Sequence, residues 1–131
     1  MDAPRFFERV GRRGFYRPVA VVTFEQAVAL CAESMQYARS LELVDLLLNS
    51  SGLTGFSSPD VFERYTIASH WAQSAGGTLT VALVCRPEFM DPQKIALLMA
   101  QNRGISGEVF TAETAALAWL DSRTGSFAAM P

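Results

Sequence analysis

The sequence predicts an α/β sandwich in which a mostly parallel sheet of about five strands packs against four helices. Short strand-like apolar runs alternate along the chain with helical apolar patterns, in the order β-β-α-β-α-β-α-β-α. Two of the runs, "LELVDLLL" and "TLTVALVC", are almost continuously apolar, which is typical of strands that are covered on both faces. Because strands that alternate with helices are joined by right-handed crossovers, most of the strands should be parallel.

The N-terminal region predicts two strands, over residues 5–10 and about 14–22, joined by a turn at "GRRG". Paired glycines suit such a turn because glycine adopts positive φ without a steric penalty. Pro18 lacks an amide donor, so it should lie at the beginning of the second strand or on an edge. We therefore expect "VAVVTF" to be the paired portion of that strand.

The first two helices have recognisable N-terminal signals. Thr23 and Gln26 form a capping-box pattern, and Ser58 should cap the second helix with Pro59 as its first residue. The apolar stripe of the first helix comprises Phe24, Ala27, Val28, Cys31, Met35 and Ala38. The buried side of the second helix is predicted to comprise Val61, Tyr65, Ala68, Ala72 and Ala75.

The C-terminal half repeats the alternation. A third helix should be capped by Asp91, begin at Pro92 and end at Gly104. The short strand "GEVF" follows, and Thr111 should cap a last helix that continues through "LAWL".

The composition indicates one folded domain over residues 1–131, with a core over about 5–121 and a tail over 122–131 that has little to hold it. Half of the residues are apolar and 18% are charged, which excludes disorder. No apolar run approaches the roughly 20 residues that a spanning helix needs, and no stretch has the length of a secretory signal. We therefore expect no membrane insertion and a cytoplasmic location.

Charge is unevenly distributed along the chain. The first 17 residues carry a net charge of +3 and the remainder carries −5. For the basic segment we favour a solvated hairpin that packs its aromatic side chains, with contact to an acidic partner as the alternative. The acidic remainder argues against nucleic acid as a partner.

The sequence predicts neither a metal site nor a cofactor nor a catalytic centre. It has one histidine, two distant cysteines and no clustered carboxylates, so the usual ligands of zinc or iron are missing. Cys31 and Cys85 are interpreted as small buried hydrophobic residues, and apolar surroundings should raise the pKa of a Cys85 thiol. Asp45 is interpreted as a hydrogen-bonded structural carboxylate, with an acid at the rim of the sheet as the alternative.

Loops that leave the carboxyl ends of parallel strands share one rim of the sheet. "NSSGLTGFSS" and "RPEFMD" should therefore be neighbours, and this rim is the predicted functional surface. The candidate rim or ligand contacts are Asn49, Ser50, Ser51, Asp60, Tyr65 and Arg86.

The stretches "VDLLL", "FSSPDVFERYTIASHWA", "VALVCRPEFMDPQKIA" and "QNRGISGEVFTAETAALAWL" resemble the SpoIIAA-like family, which is related to STAS domains and similar in fold to CRAL-TRIO lipid-binding domains. The resemblance implies alternating strands and helices with the first strand antiparallel to the others. In bacterial STAS antagonists, a serine in an Asp-Ser-Ser-Gly motif at the start of the second helix is phosphorylated, which breaks partner binding. Ser58 best matches that position and Ser57 is its neighbour, although "FSSPD" lacks the preceding acid and has Pro59 next.

The first functional hypothesis is therefore a non-enzymatic regulatory or protein-interaction domain that resembles STAS anti-sigma-factor antagonists and is switched by phosphorylation at Ser57 or Ser58. Its partner is an unidentified protein. The alternative for Ser58 is a plain helix cap. The second hypothesis is a small-molecule binding domain with a lipid-like or anionic ligand between the rim and Tyr65. Trp71 and Trp119 lie at the edges of their helical stripes, so a homodimer is a further hypothesis. The alternatives for Tyr65, Trp71 and Trp119 are positions in the core or in the lining of a ligand cavity.

Overall fold

The computed structural model describes residues 2–90 and 94–129, and over those residues it has the predicted α/β architecture. The strands are β1 Phe7–Val10, β2 Arg13–Tyr16, β3 Ala20–Val21, β4 Asp45–Asn49, β5 Leu53–Thr54, β6 Thr80–Val84 and β7 Ser106–Phe110. The helices are α1 Phe24–Ser40, α2 Val61–Ala75, α3 Ile95–Asn102 and α4 Glu113–Ala129, with a 3-10 turn at Pro87–Phe89.

Within the described residues, five strands form the main sheet in the order β1-β2-β4-β6-β7. β1 is antiparallel to β2, and the remaining pairs are parallel. The predicted fold class, a mostly parallel sheet with an antiparallel N-terminal strand, is therefore confirmed.

The predicted pairing of the second strand is wrong. β2 pairs with β4 over Arg13–Tyr16, before Pro18, and "VAVVTF" is not part of the main sheet. The chain leaves this sheet at the proline, because proline has no amide to donate. Beyond it, β3 pairs in parallel with β5, and Ala20 and Val22 donate to the carbonyls of Gly52 and Thr54 at 3.2 and 2.7 Å.

Helices cover both faces of the central strands, which explains why those strands are apolar throughout. Leu46 and Leu48 of β4 belong to the larger buried cluster, together with side chains from α1, α2 and α3. Leu47, between them, belongs to the opposite cluster with Ala116 and Leu120 of α4. Successive residues of β4 thus point to opposite faces, and both faces are buried.

The capping prediction is confirmed for α1 and wrong for α2. Thr23 Oγ1 accepts from the amide of Gln26 at 3.1 Å, as predicted. In α2 the cap is Asp60: its Oδ1 accepts from the amide of Glu63 at 2.8 Å, and Glu63 Oε1 accepts from the amide of Asp60 at 3.0 Å. Ser58 lies before this capping box, because the Asp-x-x-Glu pair satisfies the first helical amides further along the chain.

The buried side of α2 also differs from the prediction. Ala68 and Ala75 are buried as expected, but Val61 and Tyr65 are 55% and 50% exposed. The inward face instead carries the larger Trp71, because a larger apolar side chain removes more surface from water.

One prediction for the C-terminal half is wrong, and another falls on residues that the structure does not describe. α4 begins at Glu113 rather than directly after Thr111, and it continues to Ala129, so most of the expected tail over 122–131 is helical. The predicted cap Asp91 and first residue Pro92 lie outside the described residues. Among the described residues, α3 begins at Ile95. In the part of the chain that the structure describes, we find no helix with both the length and the apolar character needed to cross a bilayer.

Candidate functional site

The two predicted rim loops are neighbours in the structure. The amide of Ser50, which follows β4, donates to the carbonyl of Val84 at the end of β6 at 2.8 Å, and the Ser50 hydroxyl donates to the same carbonyl at 3.1 Å. Arg86 Nε donates to the carbonyl of Ser51 at 3.0 Å. These contacts confirm that the turns after β4 and β6 share one border of the sheet.

A polar network runs outward from these loops to α4. Asn49 Oδ1 accepts from the amide of Ser51 at 3.0 Å and from its hydroxyl, while Asn49 Nδ2 donates to Glu113 Oε2 at 2.7 Å. Arg17 completes the network with two hydrogen bonds to Glu113, at 2.8 and 3.0 Å. These bonds, above all those from Arg17, lower the pKa of Glu113 below its usual range. The predicted contacts Asn49, Ser51 and Arg86 thus hold the rim together.

Beneath this rim lies a cavity of about 130 Å³, between the sheet and α1, α2 and α3, which we call the rim cavity. Its described lining is mostly apolar. It comprises Phe24, Ala27, Val28, Cys31, Ser50, Leu53, Phe56, Pro59, Arg64, Ile67, Trp71, Leu83, Cys85, Phe89, Met90, Lys94, Leu97 and Val109.

Aromatic side chains from three separate segments meet in this lining. Phe56, in the loop after β5, contacts Phe24 of α1 edge-on with ring centroids 6.3 Å apart, and it contacts Phe89 of the 3-10 turn at 5.5 Å. The guanidinium of Arg86 lies 6.0 Å from the Phe89 ring centroid. The rim network and the cavity wall are therefore connected through Arg86.

The predicted site residues have different positions relative to the rim cavity. Ser50 lines it, whereas Tyr65 is half-exposed and is not among its described lining residues; the neighbouring Arg64 lines the cavity instead. Asp60 caps α2. Ser57 and Ser58 are exposed in the loop before that cap.

Sequence reasoning missed most of the residues that line the rim cavity, although Ser50 and Trp71 were among its candidates. Phe56 lies shortly after β5, Phe24 directly follows the cap of α1, and Phe89 lies in the 3-10 turn. These separate positions in the sequence do not show that the three rings converge. Trp71 is buried and lines the rim cavity, which agrees with one of the alternatives from the sequence rather than with an exposed dimer contact. Trp119 packs on Phe110, with ring centroids 5.8 Å apart.

Both cysteines line the rim cavity as buried, free thiols. Burial raises the pKa of Cys31 to about 12, and burial together with Glu88 raises the pKa of Cys85. Thiolate, the nucleophilic form, is therefore suppressed at neutral pH. Among the residues with described positions, no group of three or more histidine, cysteine or acidic side chains is placed to hold a metal ion.

Asp45 is a structural carboxylate, as the favoured interpretation had it. It begins β4 and so lies at the end of the sheet opposite the rim. Arg13 holds it with hydrogen bonds of 2.8 and 3.1 Å.

Comparison with protein-family models, with curated proteins and with solved structures found no match to this chain. The resemblance to the SpoIIAA-like family therefore stays a prediction.

Proposed function

We propose that this domain binds a small molecule whose apolar group occupies the rim cavity. The observation that supports the proposal is the cavity itself, which combines an apolar lining with a position at the carboxyl ends of parallel strands. Ligands of open α/β sheets are usually found at this border. The second functional hypothesis from the sequence is thus the one that the geometry supports better.

The volume of the rim cavity limits the size of the apolar group. An engineered apolar cavity of about 150 Å³ binds benzene, so a cavity of about 130 Å³ suits one aromatic ring or a short acyl chain. A long lipid chain would not fit inside it. If the ligand is lipid-like, as the sequence-based hypothesis has it, the part that enters the cavity must be small.

Binding can be tested with two matched variants of α1. Ala27 lines the rim cavity, whereas Ala29, on the same helix, is exposed. Ala27→Leu should fill part of the cavity and abolish binding of toluene, measured by ligand-observed NMR, while Ala29→Leu should leave binding unchanged. If toluene does not bind the unaltered protein, or if both variants bind equally, the proposal fails.

A second candidate function is protein interaction through the start of α2. Val61, Phe62 and Tyr65 are 55%, 82% and 50% exposed, and they follow directly on the exposed Ser57 and Ser58. Exposed apolar side chains that lie close together are typical of interaction sites. The resemblance to STAS antagonists favours the same surface.

Phe62 has a matched control in Val21, because both are 82% exposed. If α2 binds a partner, Phe62→Ser should abolish capture of a specific protein that Val21→Ser retains, and Ser58→Asp should weaken the same capture. Equal capture by all variants with an intact fold would exclude this candidate. Sedimentation at micromolar concentration tests the homodimer separately.

A further inference from the structure

We propose that the rim cavity selects small aromatic carboxylates, with the ring inside the cavity and the carboxylate at Arg64 and Lys94. This inference rests on the proposed function, because it assigns a chemical class to the ligand of the same cavity. Three independent features lead to it: the sign of the lining charges, the way that Lys94 is held, and the aromatic content of the wall.

The charges in the lining have one sign. Among the described residues that line the rim cavity, the polar side chains are Ser50, Arg64 and Lys94, and the two charged ones are both basic. Among these described lining residues, a ligand carboxylate would meet two cations, of which Lys94 already contacts Glu108. An apolar wall next to these cations strengthens their attraction for an anion, since it keeps water away.

Lys94 is fixed at the edge of the cavity by Glu108. Its Nζ donates to Glu108 Oε1 at 3.1 Å, and that oxygen also accepts from the amide of Val109 at 3.0 Å. An ammonium has three N–H donors, so Lys94 can bind a ligand carboxylate while it keeps this contact. The Lys94 side chain is 42% exposed, which leaves it accessible to an ion from solvent.

Arg64 approaches from the other wall. Its amide donates to the carbonyl of Asp60 at 2.9 Å, which places Arg64 in the first turns of α2, and its side chain is half-buried against the rim cavity. A guanidinium has five N–H donors, so Arg64 can bind a ligand carboxylate while it keeps the contacts that it already makes. α3 begins directly after Lys94, and the N-terminal end of a helix adds a partial positive charge.

The wall favours an aromatic ring over an aliphatic chain of equal size. Phe24, Phe56, Phe89 and Trp71 all line the rim cavity. Aromatic pairs gain from edge-to-face and offset arrangements beyond what their buried area contributes, and Phe56 already makes an edge-to-face contact with Phe24. A single ring also matches the volume of about 130 Å³.

The test compares phenylacetate with phenylacetamide, which has nearly the same shape but no charge. Isothermal titration calorimetry at low ionic strength should give a dissociation constant at least about tenfold lower for the acid, equivalent to about 1.4 kcal/mol. The preference should shrink as salt is added, because salt screens partly exposed charges. Equal affinity for acid and amide would overturn the inference but leave the proposed function in place. If neither compound nor toluene binds, the proposed function fails as well.

Variants of Arg64 and Lys94 test whether these two side chains cause the preference for the acid over the amide. Arg64→Gln with Lys94→Gln should bring the two affinities within about twofold of each other, with the affinity for phenylacetamide unchanged. Arg64→Lys should retain part of the preference, and Arg9→Gln, at an exposed position of β1, should retain all of it. If the double variant keeps the full preference, the carboxylate binds elsewhere and the assignment is wrong. If the double variant does not fold, the single variants and the acid-to-amide ratio of the unaltered protein decide.

Discussion

Arg86 donates a hydrogen bond from Nε to the backbone carbonyl of Ser51 at 3.0 Å, and this bond joins the loops that leave β4 and β6. Because the same guanidinium lies over Phe89, the bond also supports one wall of the rim cavity. Arg86 therefore connects the two rim loops to the wall of the rim cavity.

The first prediction concerns this bond. Arg86→Met should lower the free energy of unfolding by about 1 to 2 kcal/mol, because a charged donor to a half-buried carbonyl is lost. Urea denaturation measures the change. Arg9 provides the control, since its Nε donates to the carbonyl of Gly11 at 3.0 Å on an exposed turn. Arg9→Met should cost less than about 0.5 kcal/mol. Equal effects of the two substitutions would show that the bond from Arg86 does not support the rim.

The second prediction concerns Arg13 and Asp45. Asp45 is only 2% exposed, and the guanidinium of Arg13 binds both of its carboxylate oxygens. Arg13→Met should destabilise the protein by about 3 kcal/mol, because a buried carboxylate loses the guanidinium that binds both of its oxygens. Asp45→Leu combined with Arg13→Met should recover most of that loss.

Asp121 is the matched control for this pair. It accepts from Arg13 at 2.8 Å, but its side chain is 66% exposed. Asp121→Asn should therefore change the free energy of unfolding by less than about 1 kcal/mol. A loss at Asp121 as large as the loss caused by Arg13→Met would contradict the view that burial decides the cost.

The third prediction is a pH dependence that arises from Glu113. Its pKa in the folded protein is lowered, chiefly by hydrogen bonds from Arg17. The stabilisation is complete above the ordinary pKa of 4.5 and is lost as the pH falls through the lower folded value. Glu113→Gln should therefore reduce the difference in stability between pH 6 and acid conditions, as measured by thermal unfolding. Arg17→Met should have the same effect on the slope, and an unchanged slope in both variants would refute the assignment.

The pattern of the central strands was enough to predict the sheet. "LELVDLLL" is apolar at successive positions, and the structure covers both faces of β4 with helices. The rim followed from the same reasoning, because crossover geometry brings the loops after β4 and β6 together whatever their sequences are. These predictions depend on periodicity and connectivity, which a single sequence contains.

The errors arose where two local signals competed. Ser58-Pro59 and Asp60-x-x-Glu63 are both acceptable helix starts, and their spacing in the sequence does not show which one is used. The rim cavity was missed for a different reason. Its lining comes from α1, the loop after β5 and the 3-10 turn, so the cavity depends on how side chains from distant segments pack rather than on any one segment.

The last prediction separates the two possible starts of α2. Asp60→Ala should lower the free energy of unfolding by about 1 kcal/mol, because the amide of Glu63 loses its acceptor. Ser58→Ala should have an effect within about 0.5 kcal/mol, since Ser58 is exposed and lies outside the capping box. Chemical denaturation of both variants measures the difference. A larger loss at Ser58 than at Asp60 would place the cap at the serine, and phosphorylation there would then add charge directly at the helix terminus, where it interacts with the first helical amides.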